Sequence, residues 1–225
     1  MEDQWRKYKE GRLVVLGRQE LRKRMSPESL WSERLVIEPF FPGSYNEEAM
    51  SASVDFHLGN RFTVLRSRRA AQNNPLAEDP HVDVGATELF IPMGREFAVN
   101  PGQIVLGTTL EWFRFPADLM AYVVGRSIWG RRGLLIVTAS AVQPGSCGTI
   151  TLEMVTLSEV GVRLKPGTAI GQLFFHEVRG PSAEEARMST FAGVTRPTLG
   201  EYARSGVERL LMGLDDISET SASRQ

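Results

Sequence analysis

From residue 35 the chain alternates short apolar runs with turn-forming residues. Runs rich in Val, Ile, Leu and Phe stand near 35–40, 53–58, 61–66, 89–91, 96–99, 104–115 and 119–125, then near 134–139, 148–155, 162–164 and 169–178. Gly, Pro or Asn punctuates nearly every gap, so the runs read as strands. Three turns share a Pro-Gly pair: Asn100-Pro101-Gly102-Gln103, Gln143-Pro144-Gly145-Ser146 and Lys165-Pro166-Gly167-Thr168. Pro second and Gly third is the type II pattern. Many short strands joined by such turns predict an all-β sandwich or barrel.

The flanks differ. LGRQELRKRM (16–25) reads as a short helix and SPESLW (26–31) as a turn or helix start. The polar stretch 67–88 predicts a long loop, 203–215 a short helix and 216–225 a disordered tail. The expected organisation is an N-terminal extension over 1–15, a β domain over 16–200 and a C-terminal helix with its tail over 201–225.

Composition narrows the function classes. The chain has 225 residues, 42% of them hydrophobic, enough for a sizeable core. A net charge of −1 argues against sequence-independent nucleic-acid binding. No apolar run approaches bilayer length and MEDQWRKYKEGR is no secretory signal, so no membrane association and a cytoplasmic location are expected. The one cysteine, Cys147, rules out an intrachain disulfide, and His57, His81 and His176 are scattered. Without a Cys-x-x-Cys or His-x-Glu pairing, no zinc site is expected; carboxylate metal sites stay open, and the predicted metal ligands are none.

Candidate chemistry concentrates in GRSIWGRRGLLIVTASAVQPGSCGTITLE, residues 125–153. Arg126, Ser127 and Arg131 sit in a glycine-punctuated segment, and cations with a hydroxyl suit a phosphate-bearing ligand. Glu153 follows inside an apolar run, where a carboxylate is costly to bury without a partner or a task. Taken alone, Glu153 also fits a solvent-facing strand position, and the arginines an ordinary solvated cluster.

The order ASVDFHLG (52–59), NPGQIVLGTTLEWFRFP (100–116), GRSIWGRRGL (125–134), VTASAVQPG (137–145), GTITLE (148–153) and LKPGTAIGQLFF (164–175) resembles the dCTP deaminase branch of the dUTPase-like family. The resemblance implies a distorted jelly roll, a homotrimer with nucleotide sites between subunits, and zinc-independent deamination of a cytosine nucleotide, most simply dCTP to dUTP and ammonia. Magnesium would accompany the triphosphate. It also implies Glu153 as the proton-handling acid, with Arg131 and Ser127 beside it. Arg126 would meet phosphate and Ala139, through its backbone, the pyrimidine edge, with Thr138 a further substrate-binding residue. Asp55 matches a family position as well, read here as an acid tying down a neighbouring loop. His57 reads as structural, Arg132 as a solvated charge and Trp129 as packing at a subunit contact.

Three departures qualify that picture. Ile128 stands where relatives have a second serine. Gln143 replaces an aspartate that reaches the sugar and, in dUTPases, activates water; an amide does not accept that proton, so no dUTPase activity is expected. In the C-terminal lid, Thr190 and Val194 occupy the places of a lysine and a glutamine, with Arg196 as a replacement charge. One charge-assisted phosphate contact is worth about 1.5–3 kcal/mol. These departures sustain an alternative: a non-catalytic or altered-substrate nucleotide-binding member of the same fold, or a purely structural trimer.

Overall fold

The structure, a computed structural model, describes residues 15–41, 52–67, 84–178 and 193–197, together with Glu208. Residues 1–66 and 85–198 form one unit; residues 67–84 and 199–225 form a second, described at Ser67, Val84 and Glu208. Glu208 is helical, within the helix expected over 203–215. The stretch 68–83, Thr190 and the tail 216–225 lie outside the described residues.

The all-β expectation holds. Among the described residues, helix α1 (Arg18–Met25) precedes thirteen strands, of which the first seven are β1 (Val36–Glu38), β2 (Ser53–Ser67), β3 (Val84–Phe90), β4 (Phe97–Val99), β5 (Ile104–Thr109), β6 (Trp112–Arg114) and β7 (Leu119–Gly125). After the one-turn helix α2 (Ser127–Gly130) come β8 (Leu134–Ile136), β9 (Ala141–Val142), β10 (Cys147–Gly148), β11 (Thr151–Thr156), β12 (Val162–Leu164) and β13 (Ala169–Glu177). The main sheet runs β8–β11–β5–β2–β13–β7–β9, with β3 added on β2. Two small sheets, β1–β6–β10 and β12–β4, complete the fold.

The main sheet curls. Its outermost strands, β8 and β9, are consecutive in the chain, and Gly125 at the end of β7 lies against Ile136 of β8, 3.8 Å from where a Cβ would stand. The concave side is filled by Phe56, Phe62, Leu152, Met154, Leu173 and Phe175, and Leu21 docks α1 on the same core. Where the chain departs from strand, side chains explain it. Positions 53–58 and 61–66 form one strand because Gly59–Asn60 makes an irregularity in the β2–β5 ladder and not a turn. At Gly59 a Cβ would lie 2.8–3.0 Å from Thr108 and Thr109, so only glycine fits. The run 104–115 breaks at Leu110–Glu111, where Glu111 turns its carboxylate inward.

All three Pro-Gly turns form as expected, closed by 3.1–3.2 Å backbone bonds with their glycines at φ 74–83°. Pro92–Arg95 is a fourth turn of this kind that the sequence reading missed. No helix among the described residues is long and apolar enough to cross a membrane.

Candidate functional site

Strand β11 places Glu153. Its alternation sends Leu152, Met154 and Thr156 into the core and Thr151, Glu153 and Val155 to the other face. That face is not open solvent at Glu153, which is half-buried. Its register partner on β5 is Leu106, whose partner on β2 is Thr63, and both are buried. Directly opposed residues of an antiparallel ladder share a face, so Thr63, Leu106 and Glu153 form one row.

The segment after β8 runs beside Glu153. Val137 N–H donates to Glu153 O at 2.8 Å, and Glu153 N–H donates to Thr138 Oγ1 at 2.8 Å. The Thr138 hydroxyl in turn reaches Thr151 O at 3.4 Å. Burial pushes the Glu153 carboxyl above its ordinary pKa, and a hydrogen bond from Ala139 N–H opposes that shift without cancelling it. Beyond Ala139 the chain crosses to β7, where Val123 N–H meets Ser140 O at 2.8 Å and β9 pairs with Ala121 and Tyr122. Gln143 is exposed at the start of the next Pro-Gly turn.

A second group gathers at α2. Arg126 N–H donates to Ile170 O at 3.2 Å, and Arg126 Nη1 lies 3.1 Å from Asp55 Oδ2 on β2. Asp55 thus ties down the neighbouring segment as the sequence suggested. Its carboxyl sits above the ordinary range because burial outweighs the lowering pull of Arg126 and His57. Trp129 is half-buried, packs against the core of its own chain and donates from Nε1 to Ala169 O at 3.0 Å. Arg132 closes α2 by donating to Ile128 O at 3.2 Å.

Ser127 and Arg131 are exposed on α2 and its C-cap. Among the described residues, the polar partners of Glu153 come from Val137, Thr138 and Ala139; neither Ser127 nor Arg131 is among them. Within one chain the candidate residues therefore form two groups, one at Glu153 and one at α2. Exposed apolar side chains border each: Val124 and Ile128 beside Arg126 and Ser127, Leu135 and Val137 beside Glu153.

The C-terminal segment also has a place. Val194 O accepts from Thr149 N–H and Oγ1–H, each at 3.0 Å. Thr63 Oγ1 donates to Pro197 O at 3.3 Å. Pro197 thus lies against Thr63, a member of the row that includes Glu153. Arg196 lines a cleft of about 190 Å³ with Arg61, Thr63, Glu88 and Phe90.

The sequence reading overlooked Glu111. Its carboxylate is buried and accepts from His57 N–H at 2.9 Å and lies 2.6 Å from His57 Nδ1. The signal was present: an acid inside an apolar run singles out Glu111 in IVLGTTLEWFRF as much as Glu153. Among the described residues, no three His, Cys, Asp or Glu side chains stand together as metal ligands.

Comparison with known proteins agrees with this architecture. A family model described as dCTP deaminase-like matches residues 15–178. The chain is 40% identical over 149 residues to a dCTP deaminase of Halorubrum lacusprofundi, covering 66% of this chain and 72% of that one. It is 35% identical over 188 residues to a dCTP deaminase of Natronomonas pharaonis, covering 82% and 92%. A dUMP-forming dCTP deaminase of Dictyoglomus turgidum is 38% identical over 154 residues, covering 68% and 77%. In fold the chain is similar to the crystal structure of 2'-deoxycytidine 5'-triphosphate deaminase from Agrobacterium tumefaciens, with a TM-score of 0.50 at 16% identity. That match covers 74% of this chain and about half, 48%, of the other. With a family model spanning most of its length and relatives at this level of identity, the chain belongs to the dCTP deaminase-like family.

Proposed function

We propose that the protein hydrolyses the 4-amino group of dCTP, converting dCTP and water to dUTP and ammonia. The observation that carries this is Glu153: a half-buried carboxyl, held above its ordinary pKa and flanked by the Ala139 backbone. Such an acid can take a proton from the attacking water and return protons to the ring nitrogen and the leaving amine. Water adds at C4, Glu153 carries its proton to N3, and the tetrahedral centre collapses with loss of ammonia. Arg131 and Ser127 orient the water and the acid. Ala139, through its backbone, and Thr138 face the pyrimidine. Gln143 meets the sugar, and Arg126 and Arg196 meet phosphate. The catalytic unit is the β domain over 16–200.

Magnesium belongs to this reading as the companion of the triphosphate.

The two groups, read as halves of one site, support an oligomer. Ser127 and Arg131 of one copy complete the site at Glu153 of the next, and Val124 and Ile128 meet Leu135 and Val137. A contact between two different patches closes into a ring, and three copies are what the family resemblance implies. A stable monomer by light scattering would refute this arrangement.

The decisive assay is ammonia release, with the cytosine-to-uracil absorbance change, from dCTP and magnesium. Turnover is expected; no turnover of any cytosine nucleotide would discard the proposal. Ile128 favours one second reading, a nucleotide-binding member without catalysis, because it puts an exposed apolar side chain where relatives have a serine. Calorimetric binding of dCTP with no turnover is its signature.

A further inference from the structure

We propose that Glu111 and His57 act as a positioning pair for the Asp55–Arg126 bridge, and so set how tightly the substrate's triphosphate is held. The inference rests on the reading of Arg126 as a phosphate ligand and extends it to two residues 54 positions apart in the sequence.

Glu111 is 1% exposed. Desolvating a carboxylate is costly unless its acceptors are satisfied. Here both oxygens point at one residue: Oε2 accepts His57 N–H at 2.9 Å and Oε1 meets Nδ1 at 2.6 Å. The turn that presents Glu111 is itself locked. Thr109 Oγ1 donates to Glu111 O at 2.8 Å and accepts Ile150 N–H at 2.9 Å, while Leu110 N–H donates to His57 O at 2.7 Å. The Phe41 ring closes on the imidazole edge-on at 5.0 Å.

His57 and Asp55 are two residues apart on β2, so they share a face, and His57 acts on the Asp55 carboxylate electrostatically. Opposite them β13 is irregular: the register shifts between Ala169 and Gly171. There Arg126 is held at both ends, its N–H on Ile170 O of β13 and its guanidinium on Asp55 of β2. The direction of the guanidinium therefore depends on where β2 lies relative to β13, at a place where the ladder does not fix the spacing. Glu111 fixes β2 there from the opposite side. A planar guanidinium offers two edges; with one on Asp55, the other is aimed.

The test is steady-state kinetics on the intact protein with dCTP. Glu111→Gln keeps an acceptor but loses the charge. It should raise KM about tenfold, equivalent to about 1.4 kcal/mol, with kcat within about twofold. The double variant Glu111→Gln/Arg126→Gln should bind dCTP no more weakly than Arg126→Gln alone, because the pair acts through that arginine. Additive losses, or a wild-type KM in Glu111→Gln beside a raised KM in Arg126→Gln, would overturn this inference and leave the phosphate role of Arg126 standing. An unchanged KM in Arg126→Gln would remove both. If Glu111→Gln does not fold, His57→Gln at its half-buried position carries the same expectations.

Discussion

Glu153 N–H donates to the hydroxyl of Thr138 at 2.8 Å, and that hydroxyl reaches back to Thr151 O at 3.4 Å. One side chain outside the ladder thus spans the stretch of β11 that presents the acid. Thr138→Val keeps the shape and removes the oxygen. It leaves a half-buried N–H unpaired, at a cost of about 1–3 kcal/mol, and it loosens the backbone beneath Glu153. Urea melts should show the destabilisation and kcat should fall. Thr138→Ser, which restores the acceptor, should recover most of both. A Val variant as stable and active as the parent would deny Thr138 this part.

Glu153→Gln should reduce kcat by about a hundred- to ten-thousandfold, the usual worth of a positioned proton carrier, while dCTP binding changes little. Because burial raises the Glu153 pKa, the acid limb of kcat/KM should lie above the ordinary glutamate value of about 4.3. The same shift has a stability consequence. A carboxyl with a folded pKa above its unfolded one favours the folded state at pH below the unfolded pKa, and that advantage is lost as pH rises through the folded pKa. Glu153→Gln should therefore be somewhat more stable than the parent at pH 7. The gap should close as the parent's acid is protonated, which melts in a pH series can follow. A less stable Gln variant at pH 7 would contradict the desolvation argument.

Gly171 has no room for a side chain. A Cβ there would stand 2.2 Å from Cζ of the fully buried Phe56, with two more ring carbons within 2.9 Å. Gly171→Ala should cost about 1–3 kcal/mol through overpacking, read by denaturant midpoint. Since the position adjoins the β13 irregularity that carries Arg126, KM for dCTP should rise as well. Adding Phe56→Leu should recover part of the lost stability.

Gln143 bears on the product. Its amide does not accept a proton from water at neutral pH, and it is exposed at a turn. With dCTP the product should be dUTP, without pyrophosphate release, in contrast to relatives named dUMP-forming. Chromatography of the products separates dUTP from dUMP, and dUMP formation by the purified protein would sink this expectation.

Much of the fold was readable because local chemistry wrote it. The three Pro-Gly turns formed where expected, since proline fixes φ and glycine supplies the positive φ that follows. Strands β7, β12 and β13 fell on their apolar runs. The errors came from contacts made at a distance. Gly59 reads locally as a turn, yet close approach to Thr108 makes it a bend inside one long strand. The stretch 85–88 reads as loop, yet pairing with β2 makes it part of strand β3.

For the candidate site the division is similar. The sequence alone determined which residues have the chemistry, because an acid in an apolar run and arginines among glycines are visible in one dimension. It also fixed the strand period that separates Glu153 from Leu152 and Met154. Only the tertiary structure decided which of these groups meet: Asp55 with Arg126, Glu111 with His57, Thr138 under Glu153. Such meetings depend on strand order and register, and these are set by the packing of the whole core rather than by any window of the chain.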